Sequence, residues 1–477
     1  MVFSSLPFLF FFLPAVLLGY FLIPARYLRL RNGFLLLMNL VFYAYGEPIY
    51  VLLMLFSVVV NYASGLLLQR STTPGKRRAM LVANVVVNLG LLGFFKYVGL
   101  LTSTLRLLPG LSWIPEVTVA LPIGISFYTF QAMSYVVDVY RDEVGVQRSY
   151  GKFLLYISLF PQLIAGPIVR YSDIEAQLED RHASREDMFY GLIRFAIGLG
   201  KKILIADHCY TVVTQMLDGS LSSATTVGTW LGILMFTFQI YFDFSGYYDM
   251  AIGLGRIFGF KYMENFNLPY AARSITDFWR RWHMSLSSFF RDYVYIPLGG
   301  NRRHRWFNLL VTWCLTGLWH GASWNFLLWG FYFFVLLSVE KPLLKKLRRW
   351  PNVVRNLLTM FLVVIGWTIF YFTDFARLGQ AFAVMFGFAG SGFVSGQVHI
   401  LLLNNLPLLL LCILGSSILP RAIGNYFGVL CARRPGDGNG RQLVFVTVSY
   451  VFSVALIALS TVSLVGSGFS AFLYYRF

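Results

Sequence analysis

Long apolar runs succeed one another along almost the whole chain, near 6–24, 34–45, 49–68, 79–101, 119–137, 153–169, 188–200, 226–242, 307–339, 356–373, 398–419 and 443–465. A helix that crosses a bilayer needs roughly 20 mostly apolar residues. With 57% hydrophobic and only 13% charged residues, the 477-residue chain carries more apolar surface than a soluble domain of that length can bury. An all-α polytopic membrane protein is therefore expected, with about 11 spans plus re-entrant or interfacial helices. Several runs are short or interrupted by Gly and Pro, and irregular backbone persists at membrane depth only where protein or a water-filled cavity covers it. The N-terminus lacks a basic leader and an A-x-A-like cleavage site, and its apolar run from Phe8 to Ile23 contains Pro14, so it reads as a retained first span.

The chain carries a formal charge of +18. The basic residues concentrate in short connections between apolar runs, as the positive-inside rule expects, and this argues against a nucleic-acid partner. Clusters at Arg26-Arg29-Arg31, Arg70-Lys76-Arg77-Arg78, Lys341-Lys345-Lys346-Arg348-Arg349 and Arg421-Arg433-Arg434-Arg441 are expected on the cytoplasmic side. If 25–31 is cytoplasmic, the N-terminus lies outside, and a last span from about Val444 to Leu464 puts the tail, Gly466 to Phe477, outside as well. The charges do not fix the parity between 140 and 305.

Cys209, Cys314, Cys412 and Cys431 show no CxxC or paired spacing, so buried small side chains are expected rather than a metal site or disulfide framework. There is no internal repeat, fused soluble domain or Walker A sequence. A single membrane domain over 1–477 is expected, with its chemistry within about 119–340.

Polar residues embedded in the apolar regions gather between Pro161 and His320. In Tyr-Phe-Asp-Phe-Ser-Gly-Tyr-Tyr-Asp, residues 241–249, Ser245 and Asp249 are spaced to share a helix face and Asp243 lies on the preceding turn. These carboxylates suit either helix caps and pairing with buried Arg, or acid and base work. Residues 276–292 alternate aromatic and cationic side chains, which fits an interfacial helix. Its Arg280, Arg281 and Arg291 would meet phosphates, either of anionic lipid headgroups or of a phosphorylated ligand. His283 sits in the most aromatic part of this segment.

His320, in Trp319-His320-Gly321, interrupts the apolar run from Phe307 to Val339. An ionisable group at that depth is costly unless it faces a protein-lined cavity. Arg302, Arg303 and Arg305 before the run and Lys341, Lys345 and Lys346 after it imply entry and exit on one face, so two helices should meet near His320-Gly321. A neutral imidazole there can take a proton from a hydroxyl or return one to a leaving group. The alternative is a hydrogen-bonded structural histidine. His182, His208, His304 and His399 fall in loops or near helix ends and receive no role.

Phe160-Pro161 through Gly166-Pro167, the 241–270 stretch ending Met263-Glu264-Asn265-Phe266-Asn267-Leu268-Pro269-Tyr270, the 274–300 stretch and residues 317–321 together resemble the membrane-bound O-acyltransferase family. The likeness extends over nearly the whole chain and is greatest to its bacterial branch that acetylates envelope polysaccharides. It implies a ring of tilted helices around a central funnel, an acyl transferase of a bacterial inner membrane, a catalytic histidine at His320 and a second polar residue at His283. It also implies acetyl-CoA as a cytoplasmic donor substrate, with no permanently bound cofactor. A funnel of this kind brings a cytoplasmic thioester and an extracytoplasmic acceptor to one imidazole.

The terminal Phe472-Leu473-Tyr474-Tyr475-Arg476-Phe477 resembles the short aromatic motif of bacterial envelope acylation systems, in which the first tyrosine is proposed to carry the acyl group. That tyrosine corresponds to Tyr474. An interfacial aromatic belt is the alternative reading of the same residues. With no Ser-His-Asp hydrolase region in this chain, the resemblance implies an extracytoplasmic serine-nucleophile partner of SGNH type, alongside other polysaccharide acetylation proteins and membrane lipids. Alginate is the first expected acceptor, with cellulose or peptidoglycan as alternatives. A non-catalytic glycan transporter would instead show repeats and charges spread over several helices.

Overall fold

The computed structural model describes residues 2–347, 349–430 and 440–467. No strand occurs among them. Among the described residues, six helices are long and apolar enough to cross a membrane: Tyr50–Arg70, Pro74–Arg106, Thr226–Ile257, Trp324–Leu343, Asn352–Tyr371 and Leu443–Gly466. A seventh crossing results if Gly396–Asn404 and Leu406–Gly415, bent by 52°, form one broken span. Pro407 stands in the first turn after that bend, where its missing N–H costs nothing. The count of about 11 included apolar runs that fold as shorter pieces. The 119–137 run becomes helical only from Ile125, and the 153–169 run breaks at Leu159 just before a short helix that carries Pro161.

Contacts divide the chain into two compact units. One contains the residues through Leu192 together with Met250–Met263; the other contains Ile193–Asp249 and the described residues from Glu264 onward.

Within the first unit, polar side chains in apolar helices satisfy one another, because hydrocarbon offers them no partner. Asn61 of the Tyr50–Arg70 helix donates to Asn88 Oδ1 at 2.9 Å, while Asn84 and Asn88 of the Pro74–Arg106 helix each donate to Asn61 Oδ1 at 3.1 Å. The rings of Phe3, Phe8, Phe12, Phe42 and Phe160 pack together at centroid separations of 4.9 to 6.2 Å. Arg256 closes on Asp187 at 2.9 Å.

The second unit is organised around a hairpin. The Arg305–His320 and Trp324–Leu347 helices meet across residues 321–323, where flanking charge placed the reversal. Glycine brings their backbones together: a Cβ on Gly317 would stand 2.1 Å from the Phe326 carbonyl oxygen, and one on Gly330 would stand 2.3 Å from that of Trp313. Thr312 and Thr316 direct their hydroxyls to carbonyls one turn back, at 2.6 and 2.8 Å, so neither needs water. Asn325 then ties the hairpin to the end of the Asn352–Tyr371 helix by donating to the carbonyls of Ile369 and Phe370 at 3.1 and 3.2 Å.

The Thr226–Ile257 helix is mostly buried and runs unbroken through the 241–249 stretch. Segment 276–292 differs from the single interfacial helix expected of it. It forms two short helices, Ile275–Trp279 and Met284–Phe290, because His283 adopts left-handed backbone at φ 45°, which no continuous helix accommodates.

Candidate active site

His320 is the last residue of its helix and is 8% exposed. Its ring is enclosed by Trp319, Trp329 and Phe370, with centroids 5.0, 5.1 and 5.2 Å away and all close to perpendicular. Edge-on aromatic packing of this kind fixes the ring plane. Trp319 also stands edge-on to His283 at 5.8 Å, so one indole borders both imidazoles. Two histidines separated by 36 intervening residues in sequence thus share one aromatic cluster within a single unit.

His283 is 1% exposed and bordered by Tyr248 and by the rings of Phe244 and Phe266. Its Nε2 lies 3.3 Å from the Tyr248 hydroxyl, and its Nδ1 lies 3.5 Å from Asn265 Nδ2. Asn265 Oδ1 accepts from the Ser285 amide at 2.7 Å, and its backbone carbonyl accepts from the Met284 amide at 3.0 Å. With Oδ1 committed to an N–H donor, the amide must turn its NH2 group toward His283 Nδ1. Nδ1 is then the acceptor, and the neutral ring carries its proton on Nε2, directed at Tyr248. Burial lowers the His283 pKa from 6.5 to about 3, so the ring is neutral near physiological pH.

The two candidate carboxylates occupy a separate ionic network in the same unit. Asp249 accepts from Arg194 and Lys201, both at 2.7 Å. Lys202 bridges Asp243 at 2.8 Å and Asp207 at 2.7 Å. Lys201 and Lys202 begin a π-helical stretch, Lys201–Ala206, that directs consecutive lysines at two carboxylates of one neighbouring helix. The expected pairing with buried Arg holds for Asp249 through Arg194, whereas Asp243 pairs with a lysine; unpaired charges at that depth would be costly. Arg281 is tied to Asp277 at 2.7 Å and to the Asn267 carbonyl at 3.3 Å. Arg280 is exposed and forms no ion pair among the described residues, and Arg291 pairs with its neighbour Asp292 at 2.6 Å. Tyr474 lies outside the described residues.

Reading the sequence did not single out Asn265, Tyr248 or Trp319. Tyr248 and Trp319 adjoin residues that were singled out, but nothing in their spacing links them to His283. Asn265 lies within the Met263–Tyr270 motif, and it meets His283 because residues 265–267 run alongside 281–284, with the Asn267 amide donating to the Arg281 carbonyl and the Met284 amide to that of Asn265.

The sequence pattern of the MBOAT, membrane-bound O-acyltransferase family matches residues 127–382, an interval that contains both histidines. The chain is 42% identical over 401 residues to the probable alginate O-acetylase AlgI of Azotobacter vinelandii, covering 81% of this chain and 78% of that protein. It is 35% identical over 434 residues to the peptidoglycan O-acetyltransferase of Helicobacter pylori, covering 83% and 81% of the two chains. Similarity extends at 28% identity over 269 residues to the teichoic acid D-alanyltransferase of Bacillus subtilis, covering 52% and 68%. On a chain of apolar helices, the family match over more than half of the sequence and these relatives place the chain: it belongs to the membrane-bound O-acyltransferase family and is an acyltransferase.

Proposed function

We propose that this acyltransferase moves acetyl groups from cytoplasmic acetyl-CoA to an extracytoplasmic polysaccharide, alginate first, and that His320 is its proton-transfer residue. The observation that carries the reading is the enclosure of His320 and His283 around one indole inside the family-matched interval. The acceptor rests on the 42% identity to the Azotobacter protein. Peptidoglycan is the second reading, favoured by the similarity to the Helicobacter protein over 83% of this chain.

In the proposed reaction the His320 imidazole removes the proton of a hydroxyl, and the oxygen attacks the thioester carbonyl. The tetrahedral intermediate collapses with cleavage of the C–S bond, and the imidazolium returns its proton to the CoA thiolate. The first hydroxyl is that of Tyr474, so the products are acetyl-tyrosine and free CoA. A serine-nucleophile partner outside the membrane then takes the acetyl group to the polymer. His283, neutral and held by Asn265, orients the reacting groups through Tyr248 and Trp319. Arg280 is the better placed of the two arginines to meet CoA phosphates, because Arg281 is committed to Asp277. The basic clusters favour an extracytoplasmic position for both termini, and the similarity to bacterial envelope acyltransferases favours a bacterial inner membrane.

The test is incorporation of radiolabelled acetyl from acetyl-CoA into polymer by membranes containing the chain and its partner. His320→Ala is expected to abolish incorporation while the protein still inserts and purifies as a single species. Near-normal incorporation by that variant overturns the assignment of His320. Labelling of peptidoglycan but not alginate would move the acceptor to the second reading.

A further inference from the structure

A second site lies away from the histidines, at the basic end of the Trp324–Leu347 and Asn352–Tyr371 helices. There a cavity of about 100 Å³ is bordered by Arg273, Glu340 and Arg355 together with aliphatic side chains. Glu340 is already committed. Its carboxylate accepts from the amides of Ile275 and Thr276 and from the Thr276 hydroxyl, the amide bond of Thr276 being 2.9 Å. The nearest other carboxylate in sequence, Asp277, is engaged by Arg281 at 2.7 Å. Among the described residues, Arg273 and Arg355 form no ion pair, and Arg355 Nε is shielded from solvent without a hydrogen-bond partner. A buried guanidinium nitrogen with no acceptor is costly, and its occurrence beside a cavity marks a place for an acceptor oxygen.

The depth profile of the walls identifies the kind of ligand. On one helix Glu340 lies beside Lys341, near the helix end at Leu347, with Leu343 one turn further toward that end and Val339 and Leu336 before it. On the other, Arg355 stands one turn from the helix start at Asn352, and Leu358 and Leu362 follow. At about 1.5 Å of rise per residue, Leu362 is roughly 10 Å further along its helix than Arg355. Charge is therefore at the helix ends, and an aliphatic strip runs from it toward the middle of the span. Val339 and Leu343 are 50% and 45% exposed, so the strip opens to the surrounding membrane. Two guanidiniums against one carboxylate leave a net charge of +1, which a monoanionic phosphodiester cancels.

We propose that this cavity seats the phosphodiester headgroup of a glycerophospholipid, with Arg273 and Arg355 donating to the phosphate and an acyl chain lying along Leu336, Val339, Leu358 and Leu362. The headgroup holds Arg273, which stands two residues before the Ile275–Trp279 helix, and that segment leads directly to Trp282 and His283.

The experiment counts lipids retained by the purified, delipidated chain after incubation with phosphatidylglycerol, using native mass spectrometry. Diacylglycerol and inorganic phosphate serve as parallel probes. Wild type should retain phosphatidylglycerol, should not retain diacylglycerol, and should not release the phospholipid to inorganic phosphate. The double variant Arg273→Gln/Arg355→Gln should need about tenfold more phosphatidylglycerol for equal occupancy, consistent with the loss of charge-assisted bonds. Arg355→Lys should recover part of the retention, whereas Arg302→Gln/Arg303→Gln, on an exposed loop, should retain the lipid like wild type. Size-exclusion profiles of all variants separate misfolding from lost binding. Equal retention by the double variant, equal retention of diacylglycerol, or displacement by inorganic phosphate each overturns the proposal.

Discussion

At His283 the backbone is left-handed, φ 45°, an uncommon conformation for a residue with a side chain, and the ring is shut away from water. Three contacts from Asn265 hold this arrangement: one to the ring and two to the amides that follow it. Asn265→Asp replaces the NH2 donor facing Nδ1 with an acceptor, which favours the Nδ1–H tautomer and stabilises the imidazolium. If His283 orients the reacting groups as proposed, kcat should fall at least about tenfold with little change in KM, and the variant's pH–rate profile should gain an ionisation that wild type lacks. An unchanged profile with unchanged kcat would make Asn265 only a turn residue. The depressed His283 pKa has its own consequence. The unfolded chain binds the proton near 6.5 and the folded chain only near 3, so folded wild type loses stability as pH falls through that window. Compared with His283→Asn, its melting temperature should drop progressively below pH 6.5 and stop diverging as pH approaches 3. The depth of His320 was legible because a lone imidazole in a long apolar run is conspicuous. The brace on His283 was not, because it depends on an αL residue and a chain reversal that leave no periodic trace.

The hairpin carrying His320 is an element whose ends are set by charge and whose contact is set by glycine. Its reversal could be read from the basic residues on either side of 307–339, whereas the segment 276–292 could not be read as two helices, since its aromatic and cationic alternation is equally regular across the break. The Asp243 and Asp249 pairings were half legible. Pairing with buried Arg was a stated alternative, and Arg194 meets it at Asp249, but the lysine partners Lys201 and Lys202, at the start of a π-helical turn, were not foreseen. Gly330→Ala tests the hairpin contact. Its new Cβ would meet the Trp313 carbonyl at 2.3 Å, so the helices must separate, at a cost of about 1–3 kcal/mol. Melting temperature and acyl transfer should therefore fall together in Gly330→Ala, while His320→Gln, which keeps most of the side-chain volume among Trp319, Trp329 and Phe370, should lose transfer with a smaller fall in melting temperature. If Gly330→Ala melts like wild type, the glycines are not what brings these helices into contact.

For the whole molecule, the apolar runs were enough to identify a polytopic helical membrane protein. They did not fix which runs form long helices, since runs such as 153–169 fold around breaks like the one at Leu159. The proposed orientation rests on the basic clusters: with a last span ending near Gly466, they predict an extracytoplasmic position for the residues that follow. That tail contains Tyr474, whose proposed role as acyl carrier requires a phenol on the side where the partner acts. Tyr474→Phe removes one oxygen and keeps the ring, so interfacial anchoring survives and only hydroxyl chemistry disappears. Polymer acetylation should be lost in Tyr474→Phe and reduced less in Tyr475→Phe. In membranes that lack the serine-nucleophile partner, mass spectrometry should find an acetylated C-terminal peptide in wild type and none in Tyr474→Phe. A cysteine introduced at Ser470 should react with a membrane-impermeant maleimide added from outside intact inner-membrane spheroplasts. Labelling only after the membrane is opened would put the tail in the cytoplasm, where the partner has no access to it. Normal polymer acetylation by Tyr474→Phe would leave the tail as an anchor and require the acceptor hydroxyl to reach His320 directly from outside.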